Sequence, residues 1–213
     1  MTYQLHRISV LVVEDNAPML EITKSLLLTF GVGSVISAAN GDIGFRRFCQ
    51  YNPDIIIADW MMEMLNGIDL TERIRNNPAS PNPYVPVILM TGFSEKDRVL
   101  HARDSGVTEF LVKPFTAQDL YKRITQVIER PRQFVRSGDF FGPDRRRKNL
   151  TEYFGPKRRD ADEIPTEQVL KEQQQEANVA LQKMRDHAGL EKGDSIDLTP
   201  EGKSLSNKRK SPT

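Results

Sequence analysis

The sequence predicts an α/β domain built on a five-stranded parallel sheet. Short apolar runs suited to buried strands alternate with amphipathic helical stretches, as is typical of parallel strands joined by crossover helices. The run at residues 55–57 is isoleucine at every position, as expected of a strand that helices cover on both faces. Four of the runs end on polar residues, and the carboxyl ends of parallel strands share one edge of a sheet. We therefore expect a ligand site at that edge.

The first two β-α units are predicted in the first quarter of the chain. An apolar strand at residues 8–13 precedes a helix that Pro18 can begin, since proline is tolerated in a first helical turn, and the helix ends before Gly31. A short strand follows at residues 35–38. Asn40 then provides a side-chain oxygen that can cap the second helix. Local sequence thus accounts for the start of both helices.

Three further units complete the domain. Their strands are predicted at residues 54–58, 85–90 and 108–112. The helix of the third unit breaks in the proline-rich stretch 78–83. Ser94 and Thr116 each precede an aspartate by three residues, a pattern that resembles the capping box at a helix start. We place the domain at residues 7–129.

Four of the predicted strands run directly into residues that suit phosphoryl chemistry. These residues are Glu14 and Asp15 after the first strand, Asp59 after the third, Thr91 after the fourth and Lys113 after the fifth. Because the carboxyl ends of parallel strands meet, we expect three carboxylates, a hydroxyl and an ammonium to converge. Mg²⁺ prefers carboxylates combined with phosphate oxygens. The sequence therefore predicts a Mg²⁺ and phosphate site.

The chemistry of each residue suggests its role. Asp59, at the end of the central strand, is the candidate nucleophile, because a carboxylate can form an acyl phosphate. Lys113 can pair with phosphoryl oxygens, and Thr91 can donate a hydroxyl hydrogen bond. A cis peptide bond between Lys113 and Pro114 would aim the lysine inward. Gly92 leaves the approach to the site sterically open.

Residues 7–129 resemble the receiver domain of bacterial two-component response regulators. The resemblance depends on the acidic pair, the phosphoacceptor, the hydroxyl position, the lysine-proline pair and a later glycine, namely Glu14, Asp15, Asp59, Thr91, Lys113, Pro114 and Gly67. It implies a doubly wound, flavodoxin-like fold with sheet order 2-1-3-4-5 and flanking helices. It also implies Mg²⁺-dependent transfer of a phosphoryl group from a kinase phosphohistidine to Asp59.

The resemblance implies two further roles and reveals one difference. Met61 would bind Mg²⁺ through its backbone carbonyl, and Phe110 would be an aromatic switch that swings inward as Thr91 closes on the phosphoryl group. Response regulators usually carry proline four residues after the phosphoacceptor, where this chain has Glu63. Proline would stiffen that loop, so we predict altered phosphorylation kinetics rather than loss of function.

Composition separates the chain into two parts. The net charge is +1, yet through Glu129 there are 12 Lys and Arg against 15 Asp and Glu, and beyond it 18 against 14. The single Cys49 excludes an internal disulfide, which fits a reducing compartment. No apolar run is long enough for a transmembrane segment or resembles a signal peptide. We expect a cytoplasmic protein without a membrane partner.

The second part is predicted to be an extended basic tail that is partly helical. Residues 130–165 form a linker rich in Arg, Gly, Pro and aromatic residues, 166–188 an isolated helix and 189–213 a disordered tail. The linker repeats Phe-Gly-Pro-x-Arg-Arg, and the first copy is similar to a pattern that follows receivers in alphaproteobacterial proteins of undefined output. The candidate partner-binding residues are Phe141, Arg145, Arg146, Phe154, Arg158 and Arg159.

Three roles are open to this basic segment. Its arginines and aromatics could bind phosphates and unpaired bases of a nucleic acid. Its phenylalanines could instead anchor it on another protein, with arginines paired to carboxylates, or the segment could pack on the receiver's own helices. We favour protein docking, because identical turns suit two equivalent pockets.

The predicted function is that of a phosphorelay receiver that switches protein-protein interactions. Its expected partners are a histidine kinase or phosphotransfer protein and an unidentified downstream protein. Beyond its own phosphotransfer and dephosphorylation we expect no enzyme activity and no separate catalytic output domain. The alternative is a DNA-binding transcriptional regulator that uses the arginine-rich segment.

Overall fold

The computed structural model describes residues 5–92, 104–138 and 140–144, together with residues 175, 179, 180, 182, 183 and 186. Strands and helices alternate through the first part and a hairpin follows. The elements are a 3-10 helix at Leu5–Arg7, β1 at Ser9–Val13, α1 at Ala17–Thr29, β2 at Ser34–Ala38, α2 at Gly41–Tyr51, β3 at Ile55–Asp59, α3 at Gly67–Asn76, β4 at Val87–Thr91, β5 at Glu109–Val112, α4 at Ala117–Glu129, β6 at Phe134–Ser137 and β7 at Phe140–Pro143.

The first five strands form one parallel sheet in the order β2-β1-β3-β4-β5, which confirms the predicted fold class. One apolar cluster joins the sheet to α1 and α4, and a second joins its other face to α2 and α3. β3 and β4 are buried at every position, as their continuous apolar runs require. The register sets Asp59 beside Met90 and Thr91 beside Val112, so the strands end at a common level.

Side-chain caps explain where the helices begin. Asn40 accepts a hydrogen bond from the backbone N–H of Ile43, as predicted for α2. Thr116 and Asp119 form the predicted capping box at the start of α4. At α1 the cap is Asn16, which accepts from the N–H of Met19. The helix therefore does not use the neighbouring acidic residue as its cap.

A β-hairpin follows the domain where the sequence predicted only a linker. β6 and β7 pair in antiparallel fashion, with Arg136 opposite Phe141. The rings of Phe134, Phe141 and Tyr84 meet with centroids 5.2 to 5.7 Å apart. Tyr84 precedes β4, so the hairpin lies at the amino end of the sheet. Its strands are short and lack a clear apolar alternation, which is why their pattern did not predict them.

Several sequence predictions fall outside the described residues. They include the helix expected to start at Ser94, the second Phe-Gly-Pro copy and the tail at 189–213. The six described residues between 175 and 186 are helical, and Ala180 among them packs against the cluster of Tyr84 and Phe141. No helix in the described part of the chain is long and apolar enough to cross a membrane.

Candidate functional site

The polar residues at the carboxyl ends of the strands meet, as predicted. Glu14 and Asp15 follow β1, Asp59 ends β3, and Lys113 follows β5. One carboxylate oxygen from each of the three acidic residues lies within 4.8 Å of the others. Glu14 and Asp59 are buried, with exposed fractions of 1% and 8%, whereas Asp15 is exposed. This group, together with Lys113 and Thr91, is called the acidic site below.

Lys113 joins two of the carboxylates. Its Nζ lies 2.8 Å from Glu14 Oε2 and 2.9 Å from Asp59 Oδ1. The peptide bond from Lys113 to Pro114 is cis, as the sequence suggested. The backbone N–H of Lys113 donates to the carbonyl of Thr91 at 2.7 Å, which ties the lysine to the end of β4.

The acidic site holds an excess of negative charge. Three carboxylates face one ammonium, and burial raises the pKa of the Glu14 carboxyl although the hydrogen bond from Lys113 opposes the rise. Burial would lower the pKa of Lys113, but its hydrogen bonds to Glu14 and Asp59 outweigh that effect and raise the pKa. The lysine is therefore held as a cation, and one positive charge does not balance the cluster. A divalent cation with oxygen ligands would remove the excess.

The backbone around Asp59 leaves little freedom. The N–H of Trp60 donates to Asp59 Oδ1 at 2.9 Å, and the N–H of Gly67 donates to the carbonyl of Trp60 at 3.1 Å. A Cβ at Gly67 would collide with the carbonyl oxygen of Asp59, so only glycine fits there. By contrast, apart from its chain neighbours, no atom of the described residues lies within 4 Å of a Cβ built on Gly92.

The two residues that resemblance placed in the switch lie near this edge. Thr91 is fully buried at the end of β4. Phe110, on β5, is half-buried against the apolar cluster that includes Leu89. The side chain of Met61 is largely exposed, and the metal contact expected of its backbone carbonyl stays a prediction.

One contact of the acidic site was missed from the sequence. The backbone N–H of Glu63 donates to Asp15 Oδ2 at 3.2 Å, across 48 residues of chain. The only sequence signal for it is the absence of proline at position 63, since proline has no N–H to donate.

The predicted partner-binding residues divide into two groups. Phe141 is only 5% exposed and packs within the chain against Tyr84 and Phe134, so in this conformation it is not an exposed anchor. The guanidinium of Arg136 lies 4.7 Å from the centroid of the Phe141 ring. The described part of the linker is thus docked on the receiver itself. The other predicted residues, Arg145, Arg146, Phe154, Arg158 and Arg159, lie outside the described residues.

Comparison with known proteins places this geometry in a family. The profile described as "Response regulator receiver domain" matches residues 10–125. The chemotaxis protein CheY of Pseudomonas aeruginosa is 32% identical over 121 residues, which cover 57% of this chain and 96% of that protein.

Solved structures of receiver proteins are also similar to this chain. A response regulator receiver domain protein from Clostridium thermocellum is 33% identical with a TM-score of 0.52, over 58% of this chain and 95% of that one. The chemotaxis protein CheY4 of Vibrio cholerae has a TM-score of 0.53 at 24% identity, over 56% and 98% of the two chains, and this similarity concerns the fold alone.

Proposed function

This chain belongs to the response regulator receiver domain family, and on that premise we propose that it accepts a phosphoryl group on Asp59 in a two-component phosphorelay. The observation that carries the proposal is the Lys113 ammonium placed between the carboxylates of Glu14 and Asp59, with Asp15 beside them. Such a site combines a nucleophile, a cation for phosphoryl oxygens and spare oxygen ligands for a metal.

The proposed step is phosphoryl transfer from a phosphohistidine of a kinase or phosphotransfer protein. An oxygen of Asp59 forms a bond to phosphorus while the bond from phosphorus to the histidine nitrogen breaks, and the phosphohistidine, which enters with a proton on its other ring nitrogen, leaves as a neutral imidazole. Among the described residues, Lys113 and Trp60 both contact Oδ1 of Asp59. We therefore assign Oδ2 as the attacking oxygen.

The neighbouring residues would stabilise the negative charge of the transferred phosphoryl group. Glu14, Asp15, Asp59 and the backbone carbonyl of Met61 would hold Mg²⁺, which when bound offsets the negative charge of carboxylates and phosphate. Lys113 pairs with phosphoryl oxygens as a fixed point charge.

The proposed output is a change in protein-protein contacts. A new phosphoryl oxygen would draw the hydroxyl of Thr91, and Phe110 would fill the space that Thr91 leaves, which shifts a two-state equilibrium of the surface around β5. In the hairpin, Phe141 packs against Tyr84 and Arg136 stacks on the Phe141 ring, so in this conformation neither residue is presented to a protein or to a nucleic acid. We expect the reaction in the cytoplasm, which fits the single Cys49.

Intact-protein mass spectrometry tests the proposal directly. The full chain is incubated with acetyl phosphate and Mg²⁺, and one added phosphoryl group is expected. Asp59→Asn and removal of Mg²⁺ with EDTA should each abolish the addition. Asp69→Asn, which changes an exposed carboxylate at the start of α3, is the matched control and should label normally. Full labelling of Asp59→Asn would overturn the assignment.

A further inference from the structure

We propose that the backbone amide of Glu63 is a positioning group that holds the Asp15 carboxylate for the divalent cation. This inference rests on the cation site of the proposed function and adds a residue to it. The role is assigned to the backbone N–H of Glu63 and not to its side chain. The hydrogen bond from this N–H connects the loop after Asp59 to the acidic pair after β1.

Each carboxylate of the acidic site accepts at least one hydrogen bond. Glu14 accepts from Lys113, and Asp59 accepts from Lys113 and from the N–H of Trp60. Asp15 is the exposed carboxylate of the three, and the hydrogen bonds from Lys113 and Trp60 go to the other two. Its Oδ2 accepts from the N–H of Glu63 at 3.2 Å. Without that donor, the carboxylate would have the rotational freedom of an exposed side chain, which a bound cation would have to remove.

Both partners of this hydrogen bond are anchored. Asp15 stands between β1 and Asn16, which caps α1. The loop at residues 60–66 is closed by the hydrogen bond from Gly67 to Trp60 and ends at Asn66, which caps α3. An amide held in a closed loop can orient a carboxylate at little further entropic cost. Hydrogen bonds to metal-ligating carboxylates typically change metal affinity by about 10- to 100-fold.

The side chain of Glu63 is a weaker candidate for this role. It is exposed, and a charge in that position is screened by water and salt. The amide and the side chain can also be separated by substitution. Glu63→Pro removes the N–H, whereas Glu63→Gln keeps the N–H and removes only the charge.

The test is a Mg²⁺ titration of the full chain, followed by fluorescence. Trp60 is the only tryptophan, and its backbone N–H donates to the Asp59 carboxylate. Its emission therefore reports on the acidic site without any phosphorylation. Calorimetric titration with Mg²⁺ provides a second readout. We expect Glu63→Pro to weaken Mg²⁺ binding roughly 10-fold and Glu63→Gln to bind as wild type. Equal binding by Glu63→Pro and wild type, or equal weakening by Glu63→Gln, would overturn the inference.

A double-mutant cycle separates positioning from a loop distorted by proline. In an Asp15→Ala background the amide has no carboxylate to orient, so Glu63→Pro should cause no further loss of Mg²⁺ affinity. The same loss in both backgrounds would show that the loop was distorted, and the inference would fail. Phosphorylation of Asp59 is measured separately, so failure of this cycle leaves the labelling test of the proposed function intact.

Discussion

The two ends of the sheet each hold a cationic side chain, and they do so in opposite ways. At the carboxyl end, Lys113 lies between the carboxylates of Glu14 and Asp59, in a cluster whose net charge is negative. At the amino end, Arg75 is 3% exposed, and the described residues offer its guanidinium no carboxylate. It donates to the carbonyls of Gly106 and Pro83, at 3.1 and 2.7 Å.

The difference separates a ligand site from a structural anchor. Uncompensated negative charge at the acidic site is costly in the free protein, and a bound cation would offset it. Burial lowers the pKa of Arg75 to about 9, which is well above neutral, so this side chain is charged as well. Its partners are neutral carbonyls and the ring of Phe134, whose centroid is 5.0 Å away. Arg75 therefore has a structural role, in which it connects α3 to the hairpin.

The hairpin completes the amino end through close packing. A Cβ on Gly142 would lie 2.7 Å from the Cα of Gly106, so glycine is required where β7 meets the turn before β5. Arg132, just before β6, pairs with Glu109 of β5 at 2.9 Å. The hairpin that follows residue 129 therefore packs closely against the receiver.

Substitution of Lys113 should have the largest effect. Lys113→Met leaves the buried carboxylates of Glu14 and Asp59 without their cation, so the free energy of unfolding in EDTA should fall by about 3 kcal/mol. Labelling of Asp59 should slow roughly 100-fold. Chemical denaturation and mass spectrometry measure the two effects. Mg²⁺ should restore part of the stability, and Lys122→Met, at an exposed position of α4, should change neither quantity. Unchanged stability would mean that the carboxylates do not need the ammonium.

Substitution of Phe141 should lower the stability of the protein and leave phosphorylation of Asp59 unchanged. Phe141→Ala removes a buried ring from the cluster with Tyr84 and Phe134, at a cost of about 3 kcal/mol. Hydrogen exchange of the amides at residues 134–138 and 140–142 should accelerate, while labelling of Asp59 stays at the wild-type rate. Leu28→Ala, at an exposed position of α1, is the control. Slow exchange that persists in the variant would contradict the docked arrangement.

Substitution of Arg75 should also lower the free energy of unfolding, but by less than Phe141→Ala. Arg75→Met leaves the carbonyls of Pro83 and Gly106 without their donor and removes the cation from the Phe134 ring, which should cost about 2 kcal/mol. Arg75→Lys should not restore it, because one ammonium cannot both stack and reach two carbonyls. Urea denaturation measures both variants against Arg46→Met, an exposed arginine of α2. Full rescue by lysine would show that charge alone is required.

The smallest effect concerns pH and the buried Glu14. Burial raises its folded-state pKa, so without divalent cations the protonated form contributes stability below the ordinary pKa of glutamate, and this contribution is lost as pH rises through the raised value. The stability of wild type relative to Glu14→Gln should therefore fall from about pH 4 towards neutral pH. Urea denaturation across pH in EDTA measures this difference. Parallel curves for the two proteins would contradict it.

The fold and the acidic site were predictable because their signals are local. Four of the five strands of the sheet are short apolar runs that lead directly into a functional residue, and parallel pairing brings Glu14, Asp59 and Lys113 to one edge. The cap of α2 by Asn40 and the capping box at Thr116 are likewise contained within four consecutive residues.

The sequence by itself thus determined the sheet, the helices that the structure describes around it and the residues at its carboxyl edge. Only the tertiary structure decided the two features that depend on distant segments. The hairpin packs on a surface that Arg75, Tyr84 and Gly106 provide from three separate segments, where Arg75 contacts Phe134 and the other two contact Phe141. The hydrogen bond from Glu63 to Asp15 likewise joins two loops 48 residues apart. Neither contact has a local pattern, because backbone N–H groups and neutral carbonyls are present at nearly every position and become specific only once the chain has folded.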